Sequence, residues 1–341
     1  MTARVGIMGL GRIGRNLFRL LYDREDVTIA GISELANPEG LEYLLRFDTL
    51  LGRFPEELSI RDGHVYVIGR QIPLLVAKAG DQPPWGDLGV ETVLEATSKR
   101  RSRRELEAHL AAGARRVIAC SPPTEPPDRT VVMGVNDTEL DAADRIVSSN
   151  ATSTVHCVAP VARILQDAFG IERALLTTIH SYTSHHRLAD VPAEDRRAGR
   201  AAAENIIPQE SRSPAILMDL VPELRGRVTG FAMSVPVPNG SAVDLVCWHS
   251  RPVSVGAVNE VVRTAAAAKR WSGVLQYEDD PIVSSDVTRS SYSSVFDSLS
   301  TMTLRKTVSK TLSWYDAGYG FAHRAIDLVR RFAQLDRQKA A

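Results

Sequence analysis

The chain has 341 residues, of which 44% are hydrophobic and 24% are charged, as is typical of a globular protein long enough for two domains. Its 41 Lys and Arg residues balance its 41 Asp and Glu residues, so no overall charge attracts nucleic acid or a membrane surface. Three cysteines without metal-ligand spacing argue against a disulfide framework and favour a reducing compartment. No apolar run approaches the roughly 20 residues that would span a bilayer, and no signal-peptide pattern precedes the first strand. We therefore expect a cytoplasmic protein without a bound metal, a nucleic-acid partner or a membrane partner.

A glycine-rich turn follows the first predicted strand, residues 4–8, and begins the first predicted helix, 12–23. Residues 9–14 read Gly-Leu-Gly-Arg-Ile-Gly, and Glu34 ends the next strand twenty positions after Gly14. In this context the glycines let the backbone turn tightly and approach a pyrophosphate at the helix N-terminus. Glu34 can accept hydrogen bonds from the adenine ribose and would repel a 2′-phosphate. The motif predicts a dinucleotide site that prefers NAD over NADP, and the alternative is a glycine turn without a ligand.

The segments that follow alternate between strands and helices. Helices are predicted at 40–47 and 102–112, and strands at 27–32, around 60, and at 65–68, 72–76, 90–95, 116–120 and 130–134. This alternation predicts an α/β domain over residues 1–150 with a doubly wound parallel sheet, whose ligands bind at the carboxyl ends of the strands. Thr97 and Ser121 lie at such ends, where each could contact the cofactor or could equally cap a helix or form a turn.

A hydroxyl-rich stretch, residues 149–154, precedes a predicted buried helix over 155–169. Ser153 at their junction would lie at the positive end of that helix, where free backbone N–H groups can hold an anion or an oxyanion. By itself the stretch also fits an ordinary helix N-cap.

The second half of the chain contains strands separated by long connections. A strand at 174–180 ends in His180, and a polar loop, 184–204, follows it. Further strands are predicted at 226–235, 242–249, 300–304 and 308–315, with helices at 255–269 and about 319–336. The pattern predicts an α+β domain over 151–318 with a mostly antiparallel sheet. The last helix could return to pack on the first domain.

With these motifs the chain resembles the phosphorylating glyceraldehyde-3-phosphate dehydrogenases over nearly its whole length. The resemblance implies a Rossmann domain, a catalytic domain whose sheet supports tetramer contacts, and a small phosphorylated or aldehyde substrate. We therefore expect a homotetramer that uses NAD. The segments that carry the resemblance are 9–15, 48–54, 84–86, 149–160, 180–183, 205–208, 221–224, 235–236, 281–286 and 314–316.

The resemblance places Ser153 where the family has its nucleophilic cysteine, and His180 where it has its base. In the family's reaction a thiolate attacks the aldehyde, hydride leaves for nicotinamide, and phosphate cleaves the resulting thioester. A thiol with a pKa of about 8.5 is readily activated by a neighbouring His and a helix N-terminus. A serine hydroxyl is far less acidic, and its ester is less reactive than a thioester. Cys157, one helical turn deeper, matches a structural cysteine of the family, so we do not expect it to be a displaced nucleophile.

The resemblance also implies the remaining contacts. Thr152, Thr154, Thr183 and Ser211 keep hydroxyls at phosphate-ligand positions. Arg212 replaces a glycine and could contact phosphate, whereas Ser234 stands where the family has an arginine for the substrate phosphate. Ala317 replaces the asparagine that holds the nicotinamide carboxamide, and Lys78 stands for an arginine near adenine. The candidate cofactor-binding residues are Gly9, Gly11, Arg12, Ile13, Gly14, Glu34, Lys78, Thr97, Ser121 and Ala317.

Three functions fit these residues. The first is an NAD-dependent oxidoreductase acting on an aldehyde or a related alcohol, with His180 as acid and base and Ser153 as a hydrogen-bond donor or weak nucleophile. The second is a pseudoenzyme that binds a dinucleotide or a protein partner without turnover. The third is acyl transfer or hydrolysis through Ser153 and His180, although no carboxylate is identified that would orient His180. The first is our prediction, and the second is its alternative.

Overall fold

The structure, a computed structural model, describes residues 2–34, 37–76, 82–97, 99, 101–148 and 152–340. The chain divides into two compact units. Unit 1 comprises Met1–Val131, Glu139–Asn150 and Phe321–Ala341, and unit 2 comprises Val132–Thr138 and Ala151–Gly320. Among the described residues, no helix is both long enough and apolar enough to cross a membrane.

Unit 1 is built on a mostly parallel sheet. Among the described residues, nine of its strands form one sheet in the order β10-β11-β9-β8-β1-β2-β7-β6-β5. The pairs from β10 to β7 are parallel, and β7-β6-β5 is an antiparallel edge. The elements up to this unit's last strand are β1 Ala3–Met8, α1 Arg12–Leu21, β2 Val27–Glu34, α2 Pro38–Arg46, β3 Phe47–Asp48, β4 Gly52–Arg53, β5 Leu58–Arg61, β6 His64–Val67, β7 Arg70–Val76, β8 Thr92–Glu95, α3 Arg103–Ala111, β9 Arg116–Ala119, β10 Arg129–Thr130 and β11 Ile146–Ser148. The predicted doubly wound parallel sheet is confirmed.

The hydrophobic spacing of α1 explains its packing. Leu17, Phe18 and Leu21 recur on one face of the helix and are fully buried, as are Val5 and Ile7 in β1. These apolar side chains fill the layer between helix and sheet. The glycine turn is thereby held at the carboxyl end of β1.

The predicted strand over 130–134 is wrong beyond its first residue, because β10 ends at Thr130. The Val132 N–H donates to the side-chain oxygen of Asn136, and the Gly134 N–H donates to Asp137. Gly134 has a φ of +79°, which turns the chain. Side chains therefore take the hydrogen bonds that a strand neighbour would have supplied. A short 3-10 turn, Asp137–Glu139, follows.

Unit 2 contains a mostly antiparallel sheet, in agreement with the prediction. Among the described residues its seven strands have the order β13-β14-β12-β15-β18-β17-β16, with β12-β14 and β16-β17 parallel and the other pairs antiparallel. Several of its elements, β13, α5 and β16, have no counterpart in the sequence prediction. The elements are α4 Ser153–Phe169, β12 Ile171–Ser181, β13 Ile207–Glu210, α5 Ser213–Leu220, β14 Val228–Val235, β15 Ser241–His249, α6 Val255–Ala266, β16 Leu275–Glu278, β17 Ser294–Leu304 and β18 Val308–Tyr315, with 3-10 turns at Pro222–Leu224, Lys269–Trp271 and Ser284–Val287.

The last helix, α7 Tyr319–Ala340, belongs to unit 1 from Phe321 onward. Asp336 accepts hydrogen bonds from the guanidinium groups of Arg115 and Arg116 at distances of 2.6 to 2.7 Å. Arg330 pairs with Asp26 at 2.6 Å. These contacts, distant in sequence, attach the helix to β9 and to the segment before β2.

Candidate functional site

The glycine turn in unit 1 has no room for side chains at two positions. Gly9 has a φ of +91°, and a Cβ built on it would lie 2.9 Å from the Cα of Thr97. A Cβ on Gly14 would lie 1.9 Å from the carbonyl oxygen of Gly9. The N-terminus of α1 therefore packs directly against the backbone of the turn, as a pyrophosphate-binding turn requires. Gly11 is the N-cap residue of α1 and, as a glycine, has no side chain that could accept a hydrogen bond from the helix N-terminus.

Glu34 lies at the same turn, although it is twenty residues from Gly14 in sequence. The Leu10 N–H donates to one carboxylate oxygen of Glu34, and the Gly9 N–H donates to the Ser33 carbonyl oxygen at 2.8 Å. The half-buried Arg12 and Ile13 form the first turn of α1 beside it. Backbone, helix end and carboxylate are thus arranged as a dinucleotide would need them, and the residues present fit that group.

Thr97 is held at the carboxyl end of β8 by a buried carboxylate. Its backbone N–H donates to Glu95 at 3.0 Å and its hydroxyl donates to the same oxygen. His109 bonds the other oxygen at 3.2 Å and accepts a hydrogen bond from the Trp85 indole at 3.0 Å. Burial acts to raise the pKa of the Glu95 carboxyl, but the His109 and Thr97 hydrogen bonds and nearby Arg101 outweigh it, so that pKa is lowered. Sequence reasoning missed Glu95 as the group that positions Thr97.

The structure describes two of the other predicted cofactor contacts. Ser121 follows β9 and is half-buried, and Ala317 follows β18 in unit 2 and is buried. Lys78 lies outside the described residues.

The first turn of α4 in unit 2 is anchored by hydroxyl groups. Thr152, its N-cap, has a φ of +74°, a strained value for a β-branched residue. Its hydroxyl oxygen accepts from the Val155 N–H and lies 3.2 Å from the Ser213 hydroxyl at the start of α5. The Thr154 hydroxyl lies 2.9 Å from that of Tyr315. Ser153 itself is half-buried at the helix N-terminus.

Tyr315 links the helix to His180. Its ring centroid is 6.0 Å from that of His180 in an edge-to-face arrangement, and its hydroxyl interacts with Ser153 as well as with Thr154. Burial raises the pKa of the Tyr315 phenol, so it is protonated at neutral pH. The structure thus places Ser153 and His180 around one buried phenol. Tyr315 lies in segment 314–316, one of the segments that carry the family resemblance, but the sequence predicted no role for it.

The hydrogen bond of His180 sets its tautomer. Its Nδ1 lies 2.6 Å from the Ser181 carbonyl oxygen, which can only accept, so Nδ1 carries the proton. In the neutral ring Nε2 then has the lone pair, which is the form that a general base needs.

Cys157 is fully buried, with its sulfur 3.6 Å from the Ser313 carbonyl oxygen. Burial raises the pKa of its thiol to about 12. Cys120 and Cys247 are also buried, and burial raises the pKa of Cys247 as well. None of the three thiols is placed to act as a nucleophile.

Ser234 lies in a polar cluster that sequence reasoning did not foresee. The Nε2 of His186 is 2.9 Å from its hydroxyl oxygen, and the Gln209 amide donates to that oxygen at 2.7 Å. The Nδ1 of His186 accepts from the Thr183 N–H at 3.1 Å and lies 3.0 Å from its hydroxyl. Burial lowers the pKa of His186. The one signal available beforehand was the His185-His186 pair just after Thr183.

Ser211 and Arg212 precede α5. The Ser211 hydroxyl accepts from the Ser213 N–H at 3.2 Å, and Arg212 is the exposed N-cap residue of that helix. Since Ser213 also contacts Thr152, the two helix starts lie side by side.

Comparison with known proteins covers nearly the whole chain. The NAD-binding domain of glyceraldehyde 3-phosphate dehydrogenase, described by a family model, matches residues 3–103, and the C-terminal domain of that enzyme matches 152–317. The glyceraldehyde-3-phosphate dehydrogenase of Geobacillus stearothermophilus is 40% identical over 333 residues, 98% of this chain and 99% of that protein. Its counterpart in Streptomyces coelicolor is 42% identical over 330 residues, 96% and 98% of the two chains. Glyceraldehyde-3-phosphate dehydrogenase 1 of Bacillus subtilis is 40% identical over 334 residues, 98% and 99% of the two chains.

Proposed function

The chain belongs to the glyceraldehyde-3-phosphate dehydrogenase family, and from that premise we propose that it is an NAD-dependent oxidoreductase of small aldehydes that works without a thioester. The names of its relatives make glyceraldehyde 3-phosphate the first aldehyde to test. The observation that carries the proposal is the burial of all three cysteines, because it leaves Ser153 at the N-terminus of α4 with no thiol to replace it.

The glycine turn, the N-terminus of α1 and Glu34 would hold the dinucleotide. Bound NAD supplies a hydride acceptor. Thr97 sits against Gly9 and would contact the cofactor from the end of β8. The family resemblance assigns Lys78 to the adenine, whereas Ala317 lacks the side-chain amide with which the family's asparagine holds the nicotinamide carboxamide. Because a carboxylate repels a 2′-phosphate, Glu34 favours NAD over NADP.

His180 and Ser153 would act on the hydrated aldehyde. The Ser153 hydroxyl donates a hydrogen bond to one substrate oxygen, at a helix end whose N–H groups favour negative charge. His180 Nε2 takes the proton from a hydroxyl of the hydrate as the carbon loses hydride. The hydrate thereby becomes a carboxylic acid, and no acyl bond to Ser153 is needed.

The test measures NADH formation from glyceraldehyde 3-phosphate and NAD, with and without inorganic phosphate. We expect slow native turnover that is independent of phosphate and yields the free acid, and phosphate-dependent turnover to an acyl phosphate in Ser153→Cys. Ser184→Cys, which places a thiol in an exposed loop, should behave like the native protein. Native turnover that requires phosphate and matches that of Ser153→Cys contradicts the proposal.

Titration with NAD and NADP, together with the turnover assay, distinguishes the oxidoreductase from the pseudoenzyme. Tighter binding of NAD than of NADP, with a smaller ratio of the two affinities in Glu34→Gln, supports the role of Glu34. Binding of NAD without turnover of any aldehyde favours the catalytically inactive pseudoenzyme.

A homotetramer is the assembly that the family resemblance implies. Large apolar side chains on the strands of unit 2 are exposed in the single chain, as an oligomer interface would need. They are Leu175, Phe231, Leu299, Met302 and Leu304. The mass of the particle in solution, from light scattering, tests this assembly.

A further inference from the structure

In the cluster formed by Thr183, His186, Gln209 and Ser234, the geometry determines the hydrogen-bonding roles of His186 and of the Ser234 oxygen. Nδ1 of His186 faces the Thr183 N–H, which can only donate, so Nδ1 is the acceptor and the ring proton is on Nε2. Nε2–H therefore donates to the Ser234 oxygen, which also accepts from the Gln209 amide. The Thr183 hydroxyl oxygen lies 3.0 Å from the same Nδ1. Because the single lone pair of that nitrogen already accepts from the Thr183 N–H, the hydroxyl proton can point elsewhere.

These bonds leave the cluster without a charged donor, because His186 is neutral when its Nδ1 accepts a hydrogen bond. The Thr183 hydroxyl can donate one hydrogen bond and can also accept. Ser234 keeps one O–H, because two donors already occupy its oxygen. A phosphate group at neutral pH offers acceptors and about two negative charges. It would meet two neutral hydroxyl donors, those of Ser234 and Thr183, and no cation among the four residues of the cluster. An alcohol, which both donates and accepts, matches the pattern.

The cluster lies beside the proposed reaction centre. Ser234 in β14 is the register partner of His180 in the parallel strand β12, so the two side chains emerge on the same face of the sheet. Gln209 reaches Ser234 from β13. A substrate carbon held at His180 therefore places its neighbouring groups within reach of this cluster.

We propose that the cluster makes the protein select an uncharged hydroxyaldehyde, whose hydroxyl exchanges hydrogen bonds with Ser234 and Thr183, over its phosphate ester. The inference rests on the proposed function and names its substrate class. Arg212, the cation that the sequence predicts for phosphate, is exposed at the start of α5. Among the described residues, Ser234 is hydrogen-bonded to His186 and Gln209 instead.

The first test compares kcat/KM for glyceraldehyde and glyceraldehyde 3-phosphate in the native protein and in Ser234→Ala. We expect the native protein to favour glyceraldehyde by about tenfold, and Ser234→Ala to lose about tenfold on glyceraldehyde alone, as for a site that loses one neutral hydrogen bond. Ser184→Ala is the matched control in an exposed loop. A native preference for the phosphate ester, or an equal loss on both substrates, overturns the proposal.

The second test needs no turnover and uses calorimetry with glycerol 3-phosphate, a non-reactive probe. His186→Arg places a cation in the cluster and should bind the probe about tenfold more tightly than the native protein. His185→Arg adds the same charge at the exposed neighbouring residue and should leave binding within twofold of native. Native binding as tight as that of His186→Arg, or equal gains in both variants, overturns the proposal. If no aldehyde is oxidised at all, the proposed function fails, and this measurement still decides what the cluster binds.

Discussion

The hydroxyl oxygens of Thr154 and Tyr315 lie 2.9 Å apart in the interior of unit 2, joining the first turn of α4 to the last residue of β18. Both residues are buried. Because burial also raises the pKa of the phenol, this contact is a neutral hydrogen bond over the whole physiological pH range. It fixes the helix end that carries Ser153.

We predict that Tyr315→Phe lowers the free energy of unfolding by about 1–3 kcal/mol, because the buried Thr154 hydroxyl loses its partner. Urea unfolding measures the change, and Tyr43→Phe at an exposed position serves as the control. An unchanged midpoint in Tyr315→Phe would show that water or another group replaces the phenol.

Gly14→Ala should destabilise the protein by about 1–3 kcal/mol and weaken NAD binding at least tenfold, because the added methyl overlaps the Gly9 carbonyl oxygen. Gly40→Ala is a matched control in helix α2, where an added Cβ meets nothing within 4 Å. Because alanine has a higher helix propensity than glycine, Gly40→Ala should raise the free energy of unfolding by about 0.5–1 kcal/mol. Thermal unfolding and NAD titration test both variants, and equal effects would contradict the close packing at Gly14.

Thiol labelling provides a direct check on the reactivity of the cysteines. The native chain should react slowly with a disulfide reagent until it unfolds, because its three thiols are buried and burial raises the pKa of Cys157 to about 12. Ser153→Cys should add about one equivalent of fast-reacting thiol at the N-terminus of α4. Fast labelling of the native protein would mean that one of its cysteines is accessible after all.

The stability of the protein should fall as the pH drops from about 6.5 towards 4. Burial lowers the pKa of His323 to about 4, helped by the positive charge of Arg324, Arg24 and Arg330 and opposed by Asp327. Above pH 6.5 the ring is neutral in both states. Below it the unfolded chain takes up a proton that the folded chain refuses, so unfolding gains the advantage.

His323→Gln should remove part of this loss of unfolding free energy between pH 6.5 and pH 4. We expect the part removed to be about 1–2 kcal/mol, after allowing for solvent screening of the partly exposed ring. Urea unfolding at several pH values measures the difference in unfolding free energy between variant and native protein. The other histidines are present in both proteins, so their contributions cancel in this difference. Parallel curves for the two proteins would exclude His323 as a source of the acid sensitivity.

Local chain geometry made some features readable from the sequence. The G-x-G-x-x-G spacing after a strand predicted the turn in which Gly9 and Gly14 lie, because glycine is required where backbone segments touch. Apolar periodicity predicted α1 and α4, and the alternation of strands with helices predicted the sheet of unit 1. The strand predicted over 130–134 was wrong, since Asn136 and Asp137 supply hydrogen bonds that β propensity cannot anticipate, and β13, α5 and β16 were not predicted.

Only the tertiary structure decided which side chains share the candidate site. His186 and Ser234 are 48 residues apart, and Thr154 and Tyr315 are 161 apart, so neither pair leaves a periodic trace in the chain. Their contacts depend on strand order and register, which place Ser234 opposite His180 and leave β13 at the sheet edge with Gln209. Residue identity and spacing determined the turn and the helix end. Long-range strand pairing determined the hydrogen-bond partners that set the chemistry at that end.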